Sequence, residues 1–124
     1  MRILIRGFAV MLVVALVAVV AMAASDSVKQ VSSKHICFIN HKRFDRALQS
    51  VEVNGKNYYG CCQDCLAELK NNPESRMAVD PVSGAKVDKA DAVIGVDKNG
   101  NIYFFENIYN LHKFRAPADI PTGE

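Results

Sequence analysis

Four cysteines, Cys37, Cys61, Cys62 and Cys65, carry most of the chemistry this sequence offers. Thiolates are soft ligands that select Cu(I) and Zn(II) over Mg, Ca or Mn. Three of the four crowd into one short segment. Cys61 and Cys65 stand at i,i+4 and Cys62 and Cys65 at i,i+3, so either pair suits one face of a helix, and spacing alone does not choose between them. In an oxidising compartment the same four residues also fit disulfide pairing. No Ser-His-Asp set, paired carboxylates or phosphate loop accompanies them. Cys62-x-x-Cys65 lacks the strand–helix–strand setting of a thiol-redox motif. The chain therefore reads as a binding protein and not an enzyme, with a thiol-redox role the less favoured alternative.

The compartment follows from the first 24 residues. Arg2 and Arg6 make a short basic start, Phe8 to Ala24 runs without a charge, and Ala21-Met22-Ala23 offers the small-x-small pattern read by a signal peptidase. This predicts a signal helix over 1–24 and a periplasmic or otherwise exported protein. The apolar run of about 17 residues lies at the lower edge of a membrane span, which leaves an uncleaved anchor as the alternative. Two of the fifteen basic residues lie in the leader and none of the thirteen acids, so the mature chain is formally neutral. Such a balance gives no basic face for nucleic acid. Membrane contact is expected only through an uncleaved leader.

The elements that must position the cysteines come from an internal repeat. Val53-Asn54-Gly55-Lys56-Asn57-Tyr58-Tyr59 matches Lys98-Asn99-Gly100-Asn101-Ile102-Tyr103-Phe104, each glycine being followed at +3 and +4 by an aromatic pair. Asn-Gly between β-prone runs signals a hairpin whose turn residues both need positive φ. Strands are expected over 51–53 and 56–59, and again over 92–96 and 101–105. Each hairpin then gives way to a helical period, over 62–69 and over 107–114, with Asn107 as N-cap. Laid over each other with Cys37 on Ser83, the blocks put Glu106 and Asn110 where the first has Cys61 and Cys65. Three thiols are lost together while the hairpin persists, as expected if they act as one set. The second site is expected to be dead, or to offer only a weak oxygen contact at Glu106. Neither block is large enough to stand alone, so the two should share a core. The boundaries are a unit at 32–77, a degenerate unit at 78–117 and a loose tail at 118–124.

The blocks resemble the YHS/TRASH group of small metal-binding domains. Their signature is a cysteine in an Asp-Pro-Val-Cys-Gly-like loop, a Gly-x-x-Tyr-Tyr/Phe hairpin and a Cys-x-x-x-Cys helix start. The first block carries Cys37, Gly55 to Tyr59 and Cys61-Cys62-Gln63-Asp64-Cys65. The second carries Asp80-Pro81-Val82-Ser83-Gly84 and Gly100 to Phe104 without the cysteines. Before Cys37 stands Lys34-His35-Ile36 instead of Asp-Pro-Val. The resemblance implies an α+β fold of two packed treble-clef-like loop–hairpin–helix units after the signal helix. It also implies a single heavy-metal site with Cys37, Cys61 and Cys65 as ligands and Cys62 as an extra.

A structural zinc site wants four ligands, and Cys62, His35, His41 or water are the candidates to join the three. Cu(I) is satisfied by fewer thiolates. Copper(I) and zinc(II) stay jointly open as the ion. The expected role is a metallochaperone, buffer or accessory factor, with a metal-delivery protein as a further partner. A structural or interaction module stapled by metal or disulfide is the alternative.

Overall fold

A computed structural model describes residues 26–117; the leader and the tail from 118 onward lie outside the described residues. Its architecture is α+β, built from small antiparallel sheets and two short helices. Strands β1 (Asp26–Ser27) and β2 (Lys29–Val31) lead into a loop that carries Cys37. Strands β3 (Gln49–Val53) and β4 (Lys56–Gly60) form the first hairpin, and helix α1 (Gln63–Asn71) follows. A turn of 3-10 helix at Pro73–Arg76 leads to β5 (Met77–Val79), which pairs with β6 (Lys86–Asp88). Strands β7 (Val93–Val96) and β8 (Ile102–Phe105) form the second hairpin, before helix α2 (Ile108–Lys113) and β9 (Arg115–Ala116). Among the described residues no helix is long and apolar enough to cross a membrane.

Both hairpins fall where Asn-Gly predicts them, but the turns differ. Asn54 and Gly55 both take positive φ, 53° and 78°, which closes a two-residue turn between Val53 and Lys56. In the second hairpin only Gly100 does so, at 84°. The loop there is longer because the Asp97 carboxylate accepts N–H bonds from Asn99 and Asn101, at 2.8 and 2.9 Å. A side chain with two acceptor oxygens thus replaces one of the left-handed residues. Helix α2 starts as predicted, with the Asn107 side chain accepting from the Asn110 N–H at 2.8 Å. Helix α1 begins one residue later than the periodicity suggests, since Cys62 is its extended N-cap.

The two blocks share one core. Ile36, Phe38, Tyr58 and Leu69 from the first pack with Val87, Ile94 and Phe104 from the second. Phe38 is its centre, fully buried and edge-on to Tyr58, Tyr59 and Phe104 with ring centroids 5.8–6.3 Å apart. This geometry suits the aromatic quadrupole and adds to the apolar burial. A second cluster joins Val28, Phe105, Leu111 and Ala116. Strand β2 completes a three-stranded sheet against β7, in the order β2–β7–β8. Val28 lies against Gly95, where any side chain on that glycine would collide with it.

Candidate metal centre

The Cys37 loop is a tight knuckle. The Cys37 N–H donates to the Lys42 carbonyl at 3.0 Å, and the His41 N–H returns to the Cys37 carbonyl at 2.9 Å. Closing so short a loop forces His41 to a φ of 55°. From the other side, strand β4 ends on Gly60, and a Cβ there would sit 3.1 Å from both Cys65 Cβ and Leu66 Cδ2. The missing side chain lets helix α1 start directly against the strand. Cys61 at the strand end and Cys65 in the first helical turn are thereby brought side by side.

The ligand atoms of Cys37, Cys61 and Cys65 all lie within 4.8 Å of one another, with Cys61 Sγ 3.8 Å from Cys65 Sγ. Metal–sulfur bonds of about 2.3 Å place the sulfurs of a tetrahedral or trigonal centre roughly 3.8–4.0 Å apart, so the cluster has the dimensions of one soft-metal site. Cys37 is fully buried and the other two are half-buried. None of the four cysteines is in a disulfide.

The remaining candidates stand outside this set. Cys62 is exposed, and its Sγ lies 3.2 Å from Cys65 Sγ. It accepts the Cys65 N–H as helix cap at 3.5 Å. His35 Nδ1 faces the Phe44 carbonyl at 3.1 Å and braces the loop. His41 Nε2 faces the Lys89 ammonium at 3.2 Å.

Electrostatics differ among the four thiols. Burial pushes Cys37 up, but the backbone N–H groups of Asn40, Ile39 and Cys61 together outweigh it and favour the thiolate. Hydrogen bonding with Cys37 and then burial raise Cys61. Burial and the neighbouring sulfurs hold Cys65 well above the ordinary thiol range. The Cys65 N–H draws Cys62 below it. Of the three convergent thiols Cys37 is thus the most readily ionised, and a metal would enter by displacing protons.

Three contributing residues escape a reading by spacing. Asn40, three residues after Cys37, donates its amide Nδ2 to Cys61 Sγ at 3.3 Å. Lys89, from the second block, is buried beneath the knuckle and donates to the Phe38 carbonyl at 2.6 Å. The third is Asp80, and it changes the register of the repeat. The Asp80 N–H donates to the Ala85 carbonyl and the Gly84 N–H to the Asp80 carbonyl, each at 2.8 Å, with Gly84 at a φ of 72°. This reproduces the Cys37 knuckle bond for bond. Asp80, not Ser83, therefore stands in the place of Cys37, and Ser83 in that of Asn40. At the helix start the expected match holds, with Cys62 and Asn107 both capping through their side chains. The second block's four positions are thus Asp80, Ser83, Glu106 and Asn110.

Asp80 is fully buried and its carboxylate accepts four N–H bonds. They come from Val82 at 2.7 Å, Ser83 at 3.2 Å, Glu106 at 2.8 Å and the Asn110 side chain at 2.8 Å. Burial raises its pKa, and these donors more than offset that, Asn110 foremost. Every lone pair has a partner, so the carboxylate clips knuckle to helix directly where the first block would use an ion.

Comparison with protein-family models, curated proteins and solved structures gives no match for this chain.

Proposed function

We propose that the chain is an exported soft-metal-binding protein of the YHS/TRASH type. In this reading two treble-clef-like units pack together, and the first holds one copper(I) or zinc(II) through Cys37, Cys61 and Cys65. The ion is cargo, taken up and passed on by a metallochaperone, buffer or accessory factor of the periplasm, with a metal-delivery protein as its partner. The observation that carries the reading is the convergence of three sulfurs within 4.8 Å from a loop, a strand end and a helix start. No catalytic role is assigned. Cys62-x-x-Cys65 sits at a hairpin-to-helix junction, a place suited to ligand convergence.

The test is native mass spectrometry of reduced protein titrated with Cu(I) or Zn(II) under anaerobic conditions. One equivalent should bind to the wild type and none to a Cys37/Cys61/Cys65→Ser triple variant. Stoichiometric binding by that variant would sink the proposal.

The Asp80 clip favours a second reading, in which metal serves only as a staple. A staple should resist exchange, and its removal should unfold the first unit. Cargo should pass rapidly to a competing chelator with the fold intact.

A further inference from the structure

Lys89 is the only lysine or arginine among the buried described residues, with 5% of its surface exposed. Its Nζ lies 2.6 Å from the Phe38 carbonyl, 2.9 Å from the Ser75 carbonyl and 3.2 Å from His41 Nε2. The Phe104 ring centroid is 5.5 Å away. None of the four is an anion: two are carbonyls, one is a ring, and one is an imidazole on which burial and Lys89 itself disfavour a charge. Among the described residues the ion pairs belong to Lys56 and Lys86, and no carboxylate lies within bonding distance of Lys89.

A buried ammonium without a counter-ion is costly. Two of its partners belong to the Cys37 loop. Phe38 follows Cys37 directly and His41 closes the same knuckle, so the ammonium sits under the turn that presents Cys37 to the cluster. Burial draws the Lys89 pKa down, and a Cys37 thiolate draws it back up.

We infer that Lys89, a residue of the second block, is the counter-charge of the thiolate site and biases it toward a monovalent soft cation. The inference rests on the proposed thiolate site and deepens it. Three thiolates around Cu(I) carry a net charge of −2, and around Zn(II) a net charge of −1. With the same three thiolates in both and a neutral fourth ligand on zinc, the two loaded forms differ by one negative charge whatever protons the empty site holds. A fixed cation close by stabilises the copper form over the zinc form by one charge–charge interaction. In a partly buried site that is worth about tenfold in the affinity ratio.

Lys89 is a positioning and selectivity residue, since its bonds go to Phe38 and His41 of the knuckle and to the Ser75 carbonyl, and to no sulfur. The experiment compares wild type, Lys89→Met, Lys89→Gln and Lys89→Arg, all reduced and anaerobic, by competition with chromogenic Cu(I) and Zn(II) chelators. Circular dichroism melts accompany each titration. Lys89→Met is expected to lower the Cu(I)-to-Zn(II) affinity ratio about tenfold, and Lys89→Arg to keep it within about threefold. Lys89→Gln removes the charge but retains N–H donors for the two carbonyls. It should follow Met, and it decides the matter if the Met variant does not fold. A purely packing role predicts that both affinities fall together at constant ratio, and that result in a folded neutral variant overturns the inference alone. Wild-type protein that binds neither ion overturns the site and the inference with it.

Discussion

Asp80 Oδ2 accepts a hydrogen bond from Asn110 Nδ2 at 2.8 Å, joining in the second block the two positions that Cys37 and Cys65 occupy in the first. The same backbone thus offers two ways of fastening a knuckle to a helix start. One converges three soft sulfurs, and the other buries a carboxylate among four donors.

Asp80→Asn should be strongly destabilising, because the new amide NH2 faces N–H donors and the charge they were aimed at is gone. Hydrogen bonds to charged groups contribute about 1.5–3 kcal/mol each, and one unfavourable orientation disturbs at least one of the four. A loss of roughly 3 kcal/mol is expected from urea melts, with metal stoichiometry unchanged in the protein that remains folded.

Acid should weaken the fold through the same group. The folded pKa of Asp80 is lowered, as are those of Asp88 and Asp97. Burial pushes each of them up, and donor groups outweigh it: Asn110 and three backbone N–H groups at Asp80, the Ala90 N–H with Tyr58 and Lys56 at Asp88, and Asn101 with Tyr103 at Asp97. A lowered folded pKa means stability fully present above the unfolded value near pH 4 and lost as pH falls through the folded value. Melting temperature from these groups should be flat between pH 5 and 7 and drop below about pH 4. In Asp80→Asn that acid-dependent drop should be smaller.

The cysteines should separate by position. Cys61→Ser and Cys65→Ser each remove a proposed ligand and should cost more than the 10- to 100-fold typical of losing an outer partner. Cys62→Ser keeps a helix-capping side chain and leaves the three convergent sulfurs in place. It should still bind one equivalent, with affinity within about threefold of wild type. Competition titration of the single variants checks this order.

Metal and core should be thermodynamically linked. Phe38 fills the centre of the shared core and is fully buried. Phe38→Leu should cost about 1–3 kcal/mol, and Phe38→Ala about 3–5 kcal/mol. An ion that binds only the folded form raises stability with its concentration, by about 2.7 kcal/mol at a hundred times its dissociation constant. Saturating metal should therefore restore much of the melting temperature of Phe38→Leu, as calorimetry with and without metal would show.

Much of this arrangement was legible in the order of residues. Asn54-Gly55 and Asn99-Gly100 announce turns by a local rule, and the Asn107 cap and the Cys61–Cys65 spacing are also local. What was not legible is long-range or rests on an exception. The knuckle is closed by His41 in a left-handed conformation, a place where sequence leads one to look for glycine, so the repeat aligned on Ser83 by composition and on Asp80 by hydrogen bonds. Lys89 reads as a surface residue because lysine is rarely buried. Only the packing of the second block beneath the first hides it. The pairing of β2 with β7 joins residues some sixty positions apart, which no local pattern encodes.

One further pairing has a mechanical consequence. Strand β1 meets β9, with Asp26 opposite Ala116 and Ser27 opposite Arg115, so the described chain returns to its own beginning. The fold is wired as a ring with a small gap. A tether attached beside Asp26 or Ala116 pulls on the same two-stranded clasp, and a linker between those two residues would allow the ring to be reopened at the Asn54–Gly55 turn.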